Sequence, residues 1–367
     1  MRFFRSAGIV FIFALYSSTG LAQQPVSDCE QALNQATDEF NAGRFYGIAA
    51  MLKNCLDKGF TREQRQRANL LLAQTYLLLD DPVGAESSYI NVLWANPEFV
   101  ADTIRDPIDL VYLSKKFTAD PIFSLFVKAG GNTSPVRVIH TINPSGEAGV
   151  ENNYTLKTGW QFGGGVAWNI VKEISVTAEF IYSFTSYQKT QVKFNLDKET
   201  FIDNQNWFSL PISLKYSDTK GNVRPFGYVG FAMHWLAGDR GQVTSLKTDI
   251  VNGQPTAIPN ESPSITLTKY RNSFNRSIFL GGGVRYKLGL DFVFADLRYG
   301  MGLGNVVVPT TNFDTTGPMV EWGHVDDYFR LDNLSLSIGY VKPLYKPRKL
   351  KYARTKSVLR GINKKKK

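Results

Sequence analysis

Between Ile122 and Tyr345 one pattern recurs eight times: short stretches in which apolar side chains alternate with small or polar ones. The last stretch is the clearest, with Leu334, Leu336, Ile338 and Tyr340 on one face and Asn333, Ser335, Ser337 and Gly339 on the other. The fourth repeats it, with Phe208, Leu210, Ile212, Leu214 and Tyr216 against Ser209, Pro211, Ser213, Lys215 and Ser217. A period of two marks β-strands with one apolar face. The remaining strands are read at 122–131, 159–170, 174–188, 223–236, 276–286 and 290–303. The facing of the fifth is ambiguous, because Phe226, Tyr228, Val229 and Phe231 break the alternation. A bilayer crossing takes about 9–11 tilted residues, and most of these stretches meet that length.

The connections alternate in length. Those at 171–173, 218–222 and 287–289 are tight, whereas 132–158, 189–205, 237–275 and 304–328 are long and polar. Short turns toward the periplasm and long loops outward are the habit of bacterial transmembrane barrels. An even strand count then places both chain ends in the periplasm. Trp160, Trp168, Trp207 and Trp235 fall near strand ends and read as interfacial anchors. The expected fold is α+β and multidomain, with an eight-stranded antiparallel transmembrane barrel over 119–345.

Residues 23–118 have a different texture. Leu33, Ala36, Phe40, Gly43, Phe45, Ala49, Leu52 and Leu56 describe an antiparallel helix pair, and a second pair spans 68–96. There Leu72, Ala73, Tyr76, Ala85, Tyr89 and Pro97 sit at tetratricopeptide offsets, and Ala49 and Ala85 occupy equivalent places 36 residues apart. Two such repeats are fewer than the three a stack ordinarily needs. Support is expected from a further helix near 106–113, from docking, or from a cross-link. Repeats of this type present surfaces that grip extended segments of other proteins.

The N-terminus supplies the compartment. A basic start (Arg2, Arg5), an apolar run from Ile9 to Tyr16 and small residues before Gln23 read as a cleaved secretory signal over 1–22. Only Cys29 and Cys55 follow, and two cysteines in an oxidising compartment point to a disulfide closing a loop of about 27 residues rather than to a metal site.

Charge is distributed unevenly. The formal net charge is +10, yet the segment 346–367 alone carries eleven basic residues and no acid: Lys346, Arg348, Lys349, Lys351, Arg354, Lys356, Arg360, Lys364, Lys365, Lys366 and Lys367. Without that segment the chain stands at −1, and without Arg2 and Arg5 as well at −3. Two readings of the basic tail stand together: a solvated disordered end, or an arm that docks on an anionic envelope polymer or acidic partner. Export argues against nucleic acid.

Inside the barrel, the register sends Lys128, Glu179, Lys215, Arg285, Asp296 and Arg298 into the lumen, where opposite charges must pair across a space just wide enough for side chains. That reading makes a plug rather than a pore. The glycine triplets 163–165 and 281–283 lie within strands, not at strand-to-helix turns, so they are relief of crowding rather than phosphate loops. His140, His234 and His324 are scattered at the rim or in loops and read as incidental, even with Asp326 and Asp327 beside the last. No cofactor or metal ligand set is expected.

A signal sequence, a short helical segment bounded by Cys29 and Cys55, and a barrel entered through Pro121-Ile122-Phe123-Ser124-Leu125 together resemble the PorT-like outer-membrane β-barrel proteins of bacteria with type IX secretion and gliding machinery. The resemblance is carried by Val127-Lys128-Ala129-Gly130-Gly131-Asn132, Trp160-Gln161-Phe162-Gly163-Gly164-Gly165-Val166 and Phe279-Leu280-Gly281-Gly282-Gly283-Val284. It implies an outer-membrane location and an accessory role in a larger envelope machine, and brings no catalytic residues. The basic tail departs from the pattern. The expected function is a non-enzymatic barrel that anchors a protein-binding helical domain for secretion or outer-membrane protein assembly, with outer-membrane lipid and a periplasmic or outer-membrane protein as partners. Passive transport, or ligand binding and adhesion through the long loops, is the alternative.

Overall fold

The computed structural model describes residues 26–142, 150–193, 197–251, 254–308, 319–322 and 324–350. The signal segment and the tail beyond Leu350 lie outside the described residues. The chain divides into two compact units: Met1–Asp120 together with Tyr345–Lys367, and Pro121–Leu344.

The first unit is helical: α1 Val26–Asn41, α2 Ile48–Asp57, α3 Arg62–Leu78, α4 Pro82–Ala95 and α5 Ile108–Ser114. Local chemistry sets the starts of α3 and α4. Thr61 accepts from the Gln64 amide at 3.3 Å while Gln64 Oε1 accepts from the Thr61 amide at 2.8 Å, a reciprocal cap. Asp81 Oδ1 accepts from Val83 and Gly84, and Pro82 follows with the backbone angle a first helical residue needs. One core gathers Leu33, Ala36, Ile48, Leu52, Ala68, Leu71 and Leu72; a second gathers Ala73, Ala85, Tyr89, Leu93, Leu110, Leu113 and Phe117. Tyr76 packs against both, and Pro97 is buried after α4. The Cys29–Cys55 disulfide joins α1 to α2. The helix expected near 106–113 is α5, which contributes Leu110, Val111 and Leu113 to the core.

The start of the basic tail belongs to this unit and is not a separate segment. Arg348 and Lys349 form a short antiparallel ladder with Thr118 and Phe117, and Lys349 Nζ reaches Glu86 at 2.7 Å. The signal was hidden because a run of like charge conceals which of its members has a fixed partner.

The second unit is a closed barrel of eight antiparallel strands: β1 Phe123–Thr133, β2 Thr158–Asn169, β3 Ile174–Lys193, β4 Asp197–Ser217, β5 Val223–Val251, β6 Phe274–Leu288, β7 Asp291–Gly302 and β8 Asn333–Pro343. Each strand pairs with its sequence neighbour, and β8 returns to β1, with Ile338 opposite Ala129 and Leu336 opposite Gly131. No edge is left open, the condition for backbone to survive in lipid. Two of the tight turns use glycines at positive φ, Gly221 at 76° and Gly289 at 65°.

Facing follows parity across the exposed apolar belt. Ile338 is 64% exposed and Ser337 2%. The fifth strand obeys this in its first half, where Val223, Val229, Phe231 and Trp235 face outward and Arg224, Phe226 and Ala232 are buried inward; past Trp235 a register shift against Asn206 and Trp207 flips its facing, so that Asp239 and Val243 are buried. Its apparent break in alternation arises because Phe226 and Tyr228 are lumen residues. Trp207 is likewise an interior residue, buried on the same parity as Ser209 and donating to Gln205 Oε1 at 3.0 Å, and not an interfacial anchor. Trp160, Trp168 and Trp235 do face outward.

The expected polar loops at 189–205 and 237–275 are largely strand. β3, β4 and β5 run 20, 21 and 29 residues, well past the membrane-facing belt that ends near Phe184, Phe208 and Trp235. Val150–Leu156 adds to β3, Gln254–Glu261 folds back on β5, and Val136–His140 pairs with Tyr328–Leu331. Together they enclose a separate apolar core of Tyr187, Phe201, Val243, Leu267, Val306, Val307, Met319 and Phe329. The end of the barrel away from its tight turns thus carries a cap.

Candidate functional site

A layer of paired charges crosses the lumen. Lys128 Nζ meets Glu179 Oε2 at 2.7 Å and Asp296 Oδ2 at 4.0 Å, and Arg298 reaches Glu179 Oε1 at 2.6 Å. Tyr228 donates its hydroxyl to Asp296 and accepts from Arg298 Nε at 3.1 Å. Four strands, β1, β3, β5 and β7, contribute to this layer, so it braces the ring from opposite sides. Charges survive there because each is matched within a low-dielectric space; removing one partner would strand the other.

Lys215 and Arg285 complete the six expected lumen charges in another way. Lys215 Nζ lies 3.7 Å from the centre of the Phe226 ring, and the Arg285 guanidinium lies 5.2 Å from that of Phe292. Their neighbours are aromatic faces as well as charges, a cation–π arrangement that the alternation pattern alone does not reveal.

The lumen aromatics explain the strand glycines. Phe126 lies opposite Gly165, Phe226 opposite Gly283, Tyr228 opposite Gly281, Phe279 opposite Gly230 and Phe294 opposite Gly339. In each pair the ring covers the glycine: a Cβ on Gly281 would stand 2.5 Å from the Tyr228 ring, and one on Gly165 2.8 Å from Phe126. Rings fill the narrow interior by lying flat over positions that have no side chain.

Beyond the belt, the cap is organised around Arg271, which is fully buried. Its guanidinium holds Asp203 at 2.9 Å, Asp239 at 2.8 Å and Asp326 at 2.7 Å. Tyr187 donates to Asp203 at 2.6 Å, and the Gln205 amide bridges Asp203 and Asp239 at 3.1 and 3.2 Å. Lys189 pairs with Asp327 at 2.9 Å, and Tyr154 donates to the same carboxylate. His324 is buried, not incidental: Nδ1 meets Glu199 at 2.7 Å, Nε2 meets Asp326 at 3.3 Å, and the ring stacks on Phe201 at 4.0 Å. His140 is exposed and stacks on Tyr328.

The cap charges are strongly interdependent. Burial alone would lower the His324 imidazole, but its bonds to Asp326 and Glu199 prevail and hold it above the usual histidine value. Burial would raise Asp326, yet Arg271 and His324 prevail and hold it well below the usual carboxylate range. Burial, and then neighbouring Asp203, push Asp239 upward against the pull of Arg271. Among the described residues no cluster of histidine, cysteine and acid side chains is arranged to hold a metal ion.

Sequence reasoning reached the lumen set and missed the cap. Arg271, Asp203 and Asp239 sit in stretches read as solvated loops. A trace of the cap was available in the apolar residues Val243, Leu267, Val306, Val307 and Phe329, which a solvated loop has no reason to carry.

A sealed ring of eight strands, apolar over an outer belt and ionic within, defines a transmembrane β-barrel of the outer-membrane type. Among the described residues no helix is long and apolar enough to cross a membrane. No family model matches the chain, and no curated protein matches it. Solved structures similar to it include Neisserial surface protein A, at 13% identity and a TM-score of 0.29 over 60% of this chain and 97% of that one. The outer membrane protein OprG from Pseudomonas aeruginosa is similar at 10% identity and a TM-score of 0.35, over 62% and 99%. Ail, the attachment invasion locus protein of Yersinia pestis, is similar at 13% identity and 0.25, over 60% and 99%.

Proposed function

We propose that the protein is a non-enzymatic outer-membrane subunit whose barrel anchors a tetratricopeptide-like, protein-binding helical unit on the periplasmic side. Its setting is an envelope machine for protein secretion or outer-membrane protein assembly, and the PorT-like resemblance puts type IX secretion and gliding first. The observation that carries the reading is the surface of the helical unit. Val100, Ile104, Ile108 and Tyr112 are 78%, 92%, 67% and 60% exposed, and Trp94 is 57% exposed. Large apolar side chains exposed together on a small helical unit mark a protein-binding surface. The closed lumen favours anchoring over conduction. The basic residues beyond Leu350 add electrostatic attraction to the same partner or to an anionic envelope polymer.

Crosslinking and affinity capture of the full chain from native membranes, with Ile104→Ser/Tyr112→Ser beside it, tests this. The double variant is expected to insert normally and to lose a stoichiometric protein partner. Recovery of the wild-type chain alone from gently solubilised membranes counts against the reading, as does a discrete single-channel conductance in planar bilayers.

A further inference from the structure

Between the ionic layer and the outer rim the lumen holds a cavity of about 100 Å³. By the same measure a water needs about 10–15 Å³, so the space takes roughly seven to ten waters or one small molecule of that bulk. Its chemistry is specific. One wall is aromatic: Phe279, and Trp207, whose indole is pinned by its bond to Gln205. Beside it, largely on the same strands, lies an edge of hydroxyl and amide groups, with Ser183, Ser209, Ser277 and Asn275 all buried and all lining the space.

His234 organises that edge. Its Nδ1 meets Ser209 Oγ at 2.7 Å and its Nε2 meets Ser277 Oγ at 2.8 Å, tying together β4, β5 and β6. A hydroxyl both donates and accepts, so this row is satisfied with a neutral imidazole and leaves hydroxyl capacity directed at the cavity.

Three charged groups line the space: Arg276, which is exposed on the outward parity of its strand, and Arg298 and Asp332, which are already committed. Arg298 is held by Glu179 and Tyr228, and Asp332 by Arg137 at 3.0 Å, the Tyr299 hydroxyl at 2.9 Å and the Gly302 amide at 2.9 Å. An ionic ligand would bring an uncompensated charge into a low-dielectric chamber. A purely apolar one would strip water from the hydroxyl edge without replacing its hydrogen bonds.

We propose that this cavity binds one uncharged polyhydroxylated molecule of monosaccharide size, its C–H face against Trp207 and Phe279 and its hydroxyls along the row centred on His234. A pocket with apolar walls and a few fixed polar groups is the usual form of such a site. The proposal is independent of the partner bound by the helical unit. It gives the outer half of the barrel a ligand while the ionic layer beneath keeps the lumen closed.

The test is calorimetric titration of the full chain in detergent micelles with myo-inositol, D-glucose and D-galactose, and with glucuronate and glucosamine as charged counterparts. Saturable binding of at least one uncharged polyol is expected, and no binding of the charged pair. Ser183→Leu fills the cavity while leaving the Ser209–His234–Ser277 row intact, and should abolish binding in protein that still migrates as a folded barrel on unheated gels. Should that variant fail to fold, Trp207→Leu decides, with a loss of at least about tenfold in affinity expected. The proposal is overturned if the folded wild type saturates with no uncharged polyol or prefers a charged sugar. It is equally overturned if the deciding variant binds as the wild type does.

Discussion

Replacing Arg271 with Met should open the cap while leaving the barrel closed. The guanidinium makes four hydrogen bonds to three carboxylates, Asp203, Asp239 and Asp326, and is itself inaccessible to solvent. Summing those bonds at face value would overstate the loss, because the orphaned acids have an escape: they can take up protons. Protonating one carboxyl of ordinary pKa at neutral pH costs about 4 kcal/mol, from roughly 1.4 kcal/mol per pH unit. That agrees with the 3–5 kcal/mol typical of a buried pair that loses one partner. The open population of the cap should therefore rise by roughly a hundred- to several-thousand-fold at pH 7. At pH 5 the protonation cost shrinks to about 1.5 kcal/mol by the same arithmetic, so acid should restore much of the protection. Backbone hydrogen exchange at 187–192, 199–205 and 239–243 reads this directly, with unheated gel mobility reporting the barrel. Asp203→Asn/Asp326→Asn added to the Met variant should also restore protection. Wild-type exchange in R271M at pH 7, or a deficit that does not change with pH, would refute the reasoning.

Other outcomes follow from the same structure. The cap should be most stable in mildly acid solution. His324, raised, and Asp239, raised, contribute stability that is lost as pH climbs through their folded values; Asp326, lowered, contributes stability present above about 3.8 and lost as pH falls through its folded value. Exchange protection of the cap should thus peak between about pH 4 and 6.5 and decline toward pH 9; a peak above pH 8 contradicts the shifts. Cys29→Ser/Cys55→Ser should destabilise the helical unit by about 3–4 kcal/mol on the chain-entropy view of a closed loop this long, read as a lower denaturant midpoint of that unit with the barrel transition unmoved. Gly281→Ala should cost about 1–3 kcal/mol of barrel stability, because its Cβ meets the Tyr228 ring, and Tyr228→Ser in the same chain should recover part of it. Equal urea midpoints for wild type and Gly281→Ala would remove the ring-over-glycine account.

Much of the barrel was legible because a period of two is a local property: Leu336 faces out and Ser337 in for reasons that involve only the chain and its solvent. The paired lumen charges were legible by the same parity. The limits are equally physical. Phe226 and Tyr228 look like misplaced lipid-facing residues until their partners Gly283 and Gly281 are seen on the adjacent strand, a non-local pairing. Trp207 reads as an anchor from composition, although its parity with Ser209 already placed it inside. The cap escaped notice because Arg271 and its three carboxylates come from four separate stretches, and nothing local in any of them shows that they meet. His324 gained its significance only from Glu199, which lies 125 residues earlier. In the helical unit, caps at Thr61 and Asp81 were readable locally, while the contribution of Arg348 and Lys349 was not.

That contribution also governs the order in which the molecule can be finished. Lys349 bonds Glu86 across 263 positions, so the N-terminal unit waits one strand short through the synthesis of the entire barrel. Until residues beyond Leu344 emerge, the backbone of Phe117 and Thr118 presents an uncovered edge, and a chain cut anywhere in the barrel never covers it. The helical unit therefore registers whether the polypeptide has been carried through its last strand, and an appended tag that displaced Lys349 would mimic a truncation.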